Sequence, residues 1–139
     1  IVVQGKGSKT LRLGIYLFAI MNWVSAVGYS LFPLSASGYA GTFQDVMHVY
    51  VVTVAVVLLS VISLALIIIG GLRGGARHRS LAAWAIMALT GMVIGGAGTG
   101  IVPAAFFGVV ERFSTYSAVV FTAVLGVIGF RAFGDPEGR

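Results

Sequence analysis

The residues from Val46 to Gly70 place the strictest limit on what this chain can fold into. The stretch contains no Asp, Glu, Lys or Arg, and it includes the run VVTVAVVLLSVISLALIII. A hydrocarbon core about 30 Å thick is crossed by a helix of about 20 mostly apolar residues. The β-branched residues of the stretch do not follow the in-and-out alternation of a membrane barrel strand. The sequence therefore predicts a transmembrane helix here.

Three more apolar stretches of similar length bring the predicted spans to about 13–32, 46–70, 81–102 and 116–133. Only 9% of the residues are charged, whereas an ordinary soluble domain is about one quarter charged. So few charges cannot cover a water-exposed surface, which argues against a soluble enzyme, a nucleic-acid-binding protein and a disordered chain. We expect one all-α transmembrane domain over residues 1–139, built as a polytopic helical bundle with four spans.

The basic residues are concentrated on one side of this predicted bundle. With four spans, both termini and the loop between the second and third spans share a side. That side contains eight of the nine basic residues, namely Lys6, Lys9, Arg12, Arg73, Arg77, Arg79, Arg131 and Arg139. Because Lys and Arg near span ends are retained in the cytoplasm, we expect a plasma (inner) membrane protein with both termini cytoplasmic. The net charge of +5 then reflects orientation rather than nucleic-acid binding.

Part of this charge forms a cluster in the inner loop, with Arg73, Arg77, His78 and Arg79. Such clusters beside a span can contact anionic lipid headgroups, although the topology already requires these residues. The expected partner is the lipid bilayer, and self-association or membership of a larger membrane complex stays open. The chain has no Cys, so it has no disulfide, thiolate metal site or cysteine nucleophile.

Glycines recur at four-residue spacing in the third predicted span, at Gly91, Gly95, Gly96 and Gly100. Small residues at this spacing let helix backbones approach closely in lipid, so we interpret them as helix-packing positions. The alternative is a bent or broken helix that lines a cavity, as in some transporters.

On the predicted outer side, Thr42 and Asp45 have the spacing of a helix capping box. His48 follows three residues after Asp45 and should share its helix face. A carboxylate there would make His48 a candidate proton donor or pH sensor. The alternative is a histidine whose ring simply bonds a neighbouring carbonyl group.

Glu111 and Arg112 lie in the other outer loop, beside the fourth span. They could form an interfacial ion pair, or they could join Asp45 and His48 in an outer polar cluster, with hydrogen bonds added by Asn22 and Tyr39. Asn22 could equally join two helices.

The sequence lacks the residues, or the spacing of residues, that several kinds of metal and cofactor site require. His48 and His78 lie a bilayer apart, so a bis-histidine haem is not expected. Asp45, His48 and Glu111 reach the three protein ligands of a catalytic zinc site only if the two outer loops meet. We therefore expect no metal and no cofactor, and the catalytic residues, if any, are unknown.

Two short motifs link the sequence to a known family. One span ends in Phe32-Pro33, and a Gly-containing loop leads to His48 at the start of the next span; later, Gly108-x-x-Glu111-Arg112 precedes the last span. These features resemble the bacterial multi-pass membrane family catalogued as domain of unknown function 998, over about residues 11–133. The resemblance implies an additional helical hairpin before the Phe-Pro span, which would make this chain the C-terminal four-span portion. It implies no biochemical activity.

Three functions are compatible with these features. The first is a small binding, sensing or accessory membrane protein with an outward-facing polar site. The second is a membrane-embedded enzyme that acts on lipid headgroups through His48 with Asp45 or Glu111. The third is a small-solute transporter that uses the glycine-rich span as its moving element.

Overall fold

The computed structural model of the protein describes residues 7–35, 39–98, 101–103 and 106–133. Within these residues there is no β-strand, and the chain folds into four long helices. They are α1 (Lys9–Leu31), α2 (Phe43–Leu72), α3 (Ala76–Gly98) and α4 (Phe107–Phe133). All four are long and apolar enough to cross a membrane. The prediction of an all-α bundle with four spans is confirmed.

The helices differ in length from the apolar stretches that predict them. The 30 residues of α2 would extend about 45 Å, well beyond the hydrocarbon core. α4 begins before the predicted start at Tyr116, because the polar residues of GVVERFST lower the hydropathy without interrupting the helix. Hydropathy therefore locates the part of a helix that lies in lipid, whereas capping and loop contacts set its ends.

Two ends of the bundle follow from this up-and-down arrangement. The end with Lys9, Leu72, Ala76 and Phe133 is called the basic end. The opposite end, where α1 stops and α2 starts, is called the Asp45 end.

Glycines bring α1 and α2 into close antiparallel contact along their length. A Cβ atom on Gly14 would lie 2.8 Å from the backbone nitrogen of Ile67, and one on Gly70 would lie 2.5 Å from that of Leu11. Neither position can accommodate a larger residue without moving a backbone. These contacts were not predicted, because glycines on two different helices form no spacing pattern in the sequence.

The glycines of α3 divide into two groups. Gly91 and Gly95 are buried against α4, where Cβ atoms would collide with Ser117 and Ser114. Gly96 is exposed, and a Cβ atom there would meet nothing within 4 Å. Its spacing of one residue from Gly95 turns it about 100° away from the contact. Gly100 lies outside the described residues.

The core lies between α1, α2 and α3, and α4 contributes mainly Phe121 to it. The Phe18 and Phe121 rings meet edge to face with centroids 5.0 Å apart. One turn further along α1, the Thr122 hydroxyl donates to Asn22 Oδ1 at 3.4 Å. The other apolar side chains of α4 mostly face outward, as expected of a helix in lipid rather than in water.

Candidate functional site

The Asp45 end owes its shape to a mismatch between two helices. Gly28 of α1 packs on Val52 of α2, and α1 ends only one turn later, at Leu31. α2 continues past this level by more than one turn, back to its first residue, Phe43. The connecting chain must therefore return along the projecting turn of α2. This return places loop residues against both Asp45 and His48.

Asp45 is fully buried and accepts five hydrogen bonds from this connecting chain. Its Oδ1 accepts from the Ser35 backbone N–H at 2.9 Å and from the Ser35 hydroxyl at 2.8 Å. Its Oδ2 accepts from the backbone N–H groups of Ala40 at 3.0 Å and Thr42 at 3.1 Å, and from the Thr42 hydroxyl at 2.8 Å. The Asp45 N–H in turn donates to Thr42 Oγ1 at 3.2 Å, which completes the predicted capping box.

All five partners of the Asp45 side chain are donors, which suits a carboxylate that carries no proton of its own. Three of the five are backbone N–H groups that can only donate, so a proton on the carboxyl group could be accepted only by the Ser35 or Thr42 hydroxyl, after that hydroxyl had turned its own hydrogen away. The carboxylate thus fixes both ends of the connecting chain to the start of α2. Its lone pairs are occupied, so it has no capacity left for a substrate.

His48 is anchored to the end of α1 rather than to Asp45. Its Nδ1 lies 2.6 Å from the backbone carbonyl oxygen of Phe32, and its ring centroid lies 4.8 Å from that of Tyr29. A carbonyl oxygen can only accept, so Nδ1 carries the hydrogen and Nε2 is the basic nitrogen of the neutral ring. No protein group in the described residues bonds Nε2. Since these residues include no buried polar side-chain atom without a partner, Nε2 lies at the protein surface.

The backbone around His48 is π-helical rather than α-helical, from Met47 to Thr53. The Thr53 hydroxyl donates to the His48 carbonyl oxygen at 2.8 Å, and Tyr29 donates its hydroxyl hydrogen to Thr53 Oγ1 at 3.2 Å. These bonds tie α1 to the widened turn of α2. π-helical turns occur frequently at functional sites. The sequence did not predict Tyr29 and Thr53 as part of this site, because a Thr five residues after a His is not a known motif.

Aromatic residues surround this site at the Asp45 end. The Tyr39 and Tyr50 rings are 6.1 Å apart, and the Phe32 and Phe43 rings are 6.3 Å apart, both in edge-to-face orientation. Aromatic side chains of this kind are typical of the membrane–water interface. Partial removal from water raises the pKa of Tyr39, which is still half exposed, and the neighbouring Tyr50 hydroxyl adds to that increase.

The four residues of the predicted outer cluster do not meet in one hydrogen-bonded site. Asp45 and His48 both bind the connecting chain, but no bond joins them, because each side chain bonds a different part of that chain. Glu111 and Arg112 are exposed near the start of α4, and in the described part of the chain they form no side-chain hydrogen bond or ion pair. Asn22 lies in the middle of α1, where it bonds the Phe18 carbonyl and Thr122.

Among the described residues, no group of three or more His, Cys, Asp or Glu side chains could hold a metal ion. Comparisons with protein-family models, with curated proteins and with solved structures each give no match. The site at the Asp45 end consequently has to be interpreted from its own chemistry.

Proposed function

We propose that this chain is a small multi-pass protein of the bacterial plasma membrane that binds or senses a ligand at the Asp45 end. The proposal includes the orientation with both termini cytoplasmic and the Asp45 end outside, and it includes membership of the family catalogued as domain of unknown function 998. The supporting observation is the state of His48, whose Nδ1 is held by the Phe32 carbonyl while Nε2 remains at the surface as a base. The smallest ligand for such a nitrogen is a proton.

The contacts of His48 allow protonation without rearrangement of the ring. Nδ1 stays a donor in the imidazolium form, so its bond with Phe32 persists when Nε2 gains a hydrogen. The new charge then appears beside the connecting chain that Asp45 fixes in place. A histidine in this position can convert a change in external pH into a change in charge at the end of α2.

The two other functions have less support in the described residues. An acid/base enzyme needs a second proton-transferring group near His48. Asp45 is already saturated with donors, and the Tyr29 hydroxyl donates to Thr53. A transporter with a broken third helix is disfavoured by α3, which runs without interruption from Ala76 to Gly98 and is filled against α4 at Gly91 and Gly95.

The proposal can be tested by ¹⁵N NMR of the histidine rings in lipid nanodiscs between pH 5 and 8. We expect His48 to show the Nδ1–H tautomer when neutral and to gain a proton at Nε2 on acidification. The amide signals of Ser35, Ala40 and Thr42 should shift with the same titration, because the Phe32 carbonyl that bonds His48 begins the connecting chain to which they belong.

The two histidines at opposite ends of the bundle provide a matched control. His48→Gln should abolish the amide response, and His78→Gln should leave it intact. A His48 ring that stays neutral throughout this range, or that titrates while the three amides remain unchanged, would overturn the sensing proposal.

A further inference from the structure

The described charges are separated between the two ends of the bundle. Both carboxylates of the described residues, Asp45 and Glu111, belong to the Asp45 end, and Asp135 and Glu137 lie outside the described residues. The basic end contains six cations, namely Lys9, Arg12, Arg73, Arg77, Arg79 and Arg131. No ion pair involves any of them within the described part of the chain. None of these six cations is therefore neutralised by a carboxylate of the described residues.

Close helix packing concentrates these cations. α1 starts at the Ser8 cap, and a Cβ atom on Gly70 would lie 2.5 Å from the Leu11 nitrogen. One on Gly71 would lie 2.7 Å from the His78 carbonyl oxygen of α3. The start of α1, the end of α2 and the start of α3 are thus in backbone contact, and the basic residues next to them share one small area.

Not every cation in this area is available for an external anion. The Arg79 Nε–H donates to the Gly74 carbonyl oxygen at 3.4 Å, so this side chain helps to close the turn between α2 and α3. Arg73 is exposed at the C-cap of α2, three residues after Gly70, which contacts Leu11 of α1. Arg12 is half-buried in the first turn of α1. Neither guanidinium group has a hydrogen-bond partner in the described residues, although each provides five donors.

We propose that Arg12 and Arg73 form an anionic phospholipid site, in which the lipid phosphate is bound between the start of α1 and the end of α2. Arg matches the geometry of phosphate oxygens with paired N–H donors. Both residues lie at ends of helices that are long enough to cross the hydrocarbon core, where a bilayer around these spans would place its headgroup phosphates. A lipid anion would reduce the repulsion among the clustered cations while its acyl chains cover the apolar surface of α1 and α2.

Native mass spectrometry of the full chain in non-ionic detergent can test this site, with phosphatidylglycerol and phosphatidylcholine of identical acyl chains as ligands. We expect phosphatidylglycerol to bind more tightly than phosphatidylcholine. Arg73→Gln and Arg12→Gln should each weaken phosphatidylglycerol binding about fivefold, the effect of one basic residue near an anionic headgroup. Arg73 is exposed, so its replacement should not disturb the fold.

Arg112→Gln is the matched control, because Arg112 is also exposed and unpaired but belongs to the Asp45 end. It should change phosphatidylglycerol binding by less than about twofold, which is below the effect expected for one headgroup contact. Equal affinity for the two lipids, or an equal loss in Arg112→Gln and Arg73→Gln, would overturn the proposal. Glycerol phosphate that competes as well as the intact lipid would also overturn it, since the site would then select phosphate alone.

Discussion

The spacing of Asp45 in the sequence indicates His48 as its partner, but the hydrogen-bond donors around Asp45 bind its side chain instead. Residues three apart on a helix are neighbours, so Asp45 and His48 should be able to interact. In the first turn of a helix, however, a carboxylate also reaches the unpaired N–H groups before the helix. Five donors from Ser35, Ala40 and Thr42 outcompete a single imidazole. The residue therefore acts as a structural anchor.

Asp45→Asn should lower the free energy of unfolding by about 3 kcal/mol or more. The amide has the shape of the carboxylate, but its NH₂ group would face at least one backbone N–H group, and neither of these two donors can accept a hydrogen bond from the other. Unfolding by dodecyl sulfate in mixed micelles measures this difference. Glu111→Gln is the control, because Glu111 is exposed and without a side-chain partner in the described residues, and it should stay within about 0.5 kcal/mol of the parent. Equal stability of the two variants would contradict the anchoring role.

Tyr39 gives the Asp45 end a predictable response to alkali. Its pKa is raised above the ordinary value of 10.0, first by removal from water and then by Tyr50. The folded state consequently holds the Tyr39 proton more tightly than the unfolded state does. The associated stability is fully present below about pH 10 and is lost as the pH rises through the folded pKa.

Tyr39→Phe should remove this loss, because phenylalanine has no proton to release. We expect the melting temperatures of parent and variant to differ by a constant amount up to about pH 10. Above that pH, the parent should lose stability faster than Tyr39→Phe. Melting curves of the two proteins that fall in parallel above pH 10 would show that Tyr39 does not contribute.

At the scale of the helices, whether a glycine is needed for packing depends on whether it lies on the face that contacts the neighbouring helix. Gly95 and Gly96 are adjacent in the sequence, yet a Cβ atom on Gly95 would lie 2.5 Å from the Ser114 backbone nitrogen, whereas one on Gly96 would meet open space. The obstacle at Gly95 is the backbone of α4, which cannot rotate away as a flexible side chain can.

Gly95→Leu should therefore destabilise the bundle by about 1–3 kcal/mol, the usual effect of overpacking. Gly96→Leu should be neutral or slightly stabilising, because leucine favours the helix by about 0.5–1 kcal/mol relative to glycine. Thermal unfolding in detergent compares the two variants directly. Similar losses at both positions would mean that α3 presents a different face to α4.

The sequence predicts helices better than it predicts contacts between them. A long apolar run is sufficient to place α2, and the Thr42–Asp45 spacing is sufficient to predict its cap, because both are local. The contact of Gly14 with Ile67 depends on how two separate helices align, and the Tyr29–Thr53–His48 linkage depends on a π-helical turn. Such features arise only after α1 and α2 have packed. The sequence could therefore name candidate residues of the site, but not the contacts between them.

For the whole molecule, the two ends of the bundle differ in both charge and packing. The basic end combines six described cations with three helix ends in backbone contact, and the Asp45 end combines the two described carboxylates with aromatic residues. In the proposed orientation the basic end faces the cytoplasm, in agreement with the retention of Lys and Arg on that side of a membrane.

The orientation can be measured with single cysteines, because the chain has none of its own. Ala40→Cys places a thiol on an exposed position at the Asp45 end, and Gly75→Cys places one in the loop of the basic end, where a Cβ atom would meet nothing within 4 Å. In intact cells, a membrane-impermeant maleimide should label Ala40→Cys and should reach Gly75→Cys only after the cells are lysed. The basic end contains six of the seven described Lys and Arg residues, and this bias predicts that it stays in the cytoplasm. If Gly75→Cys were labelled in intact cells and Ala40→Cys were not, the proposed orientation would be wrong. His48 would then lie on the cytoplasmic side, where it could not sense external pH.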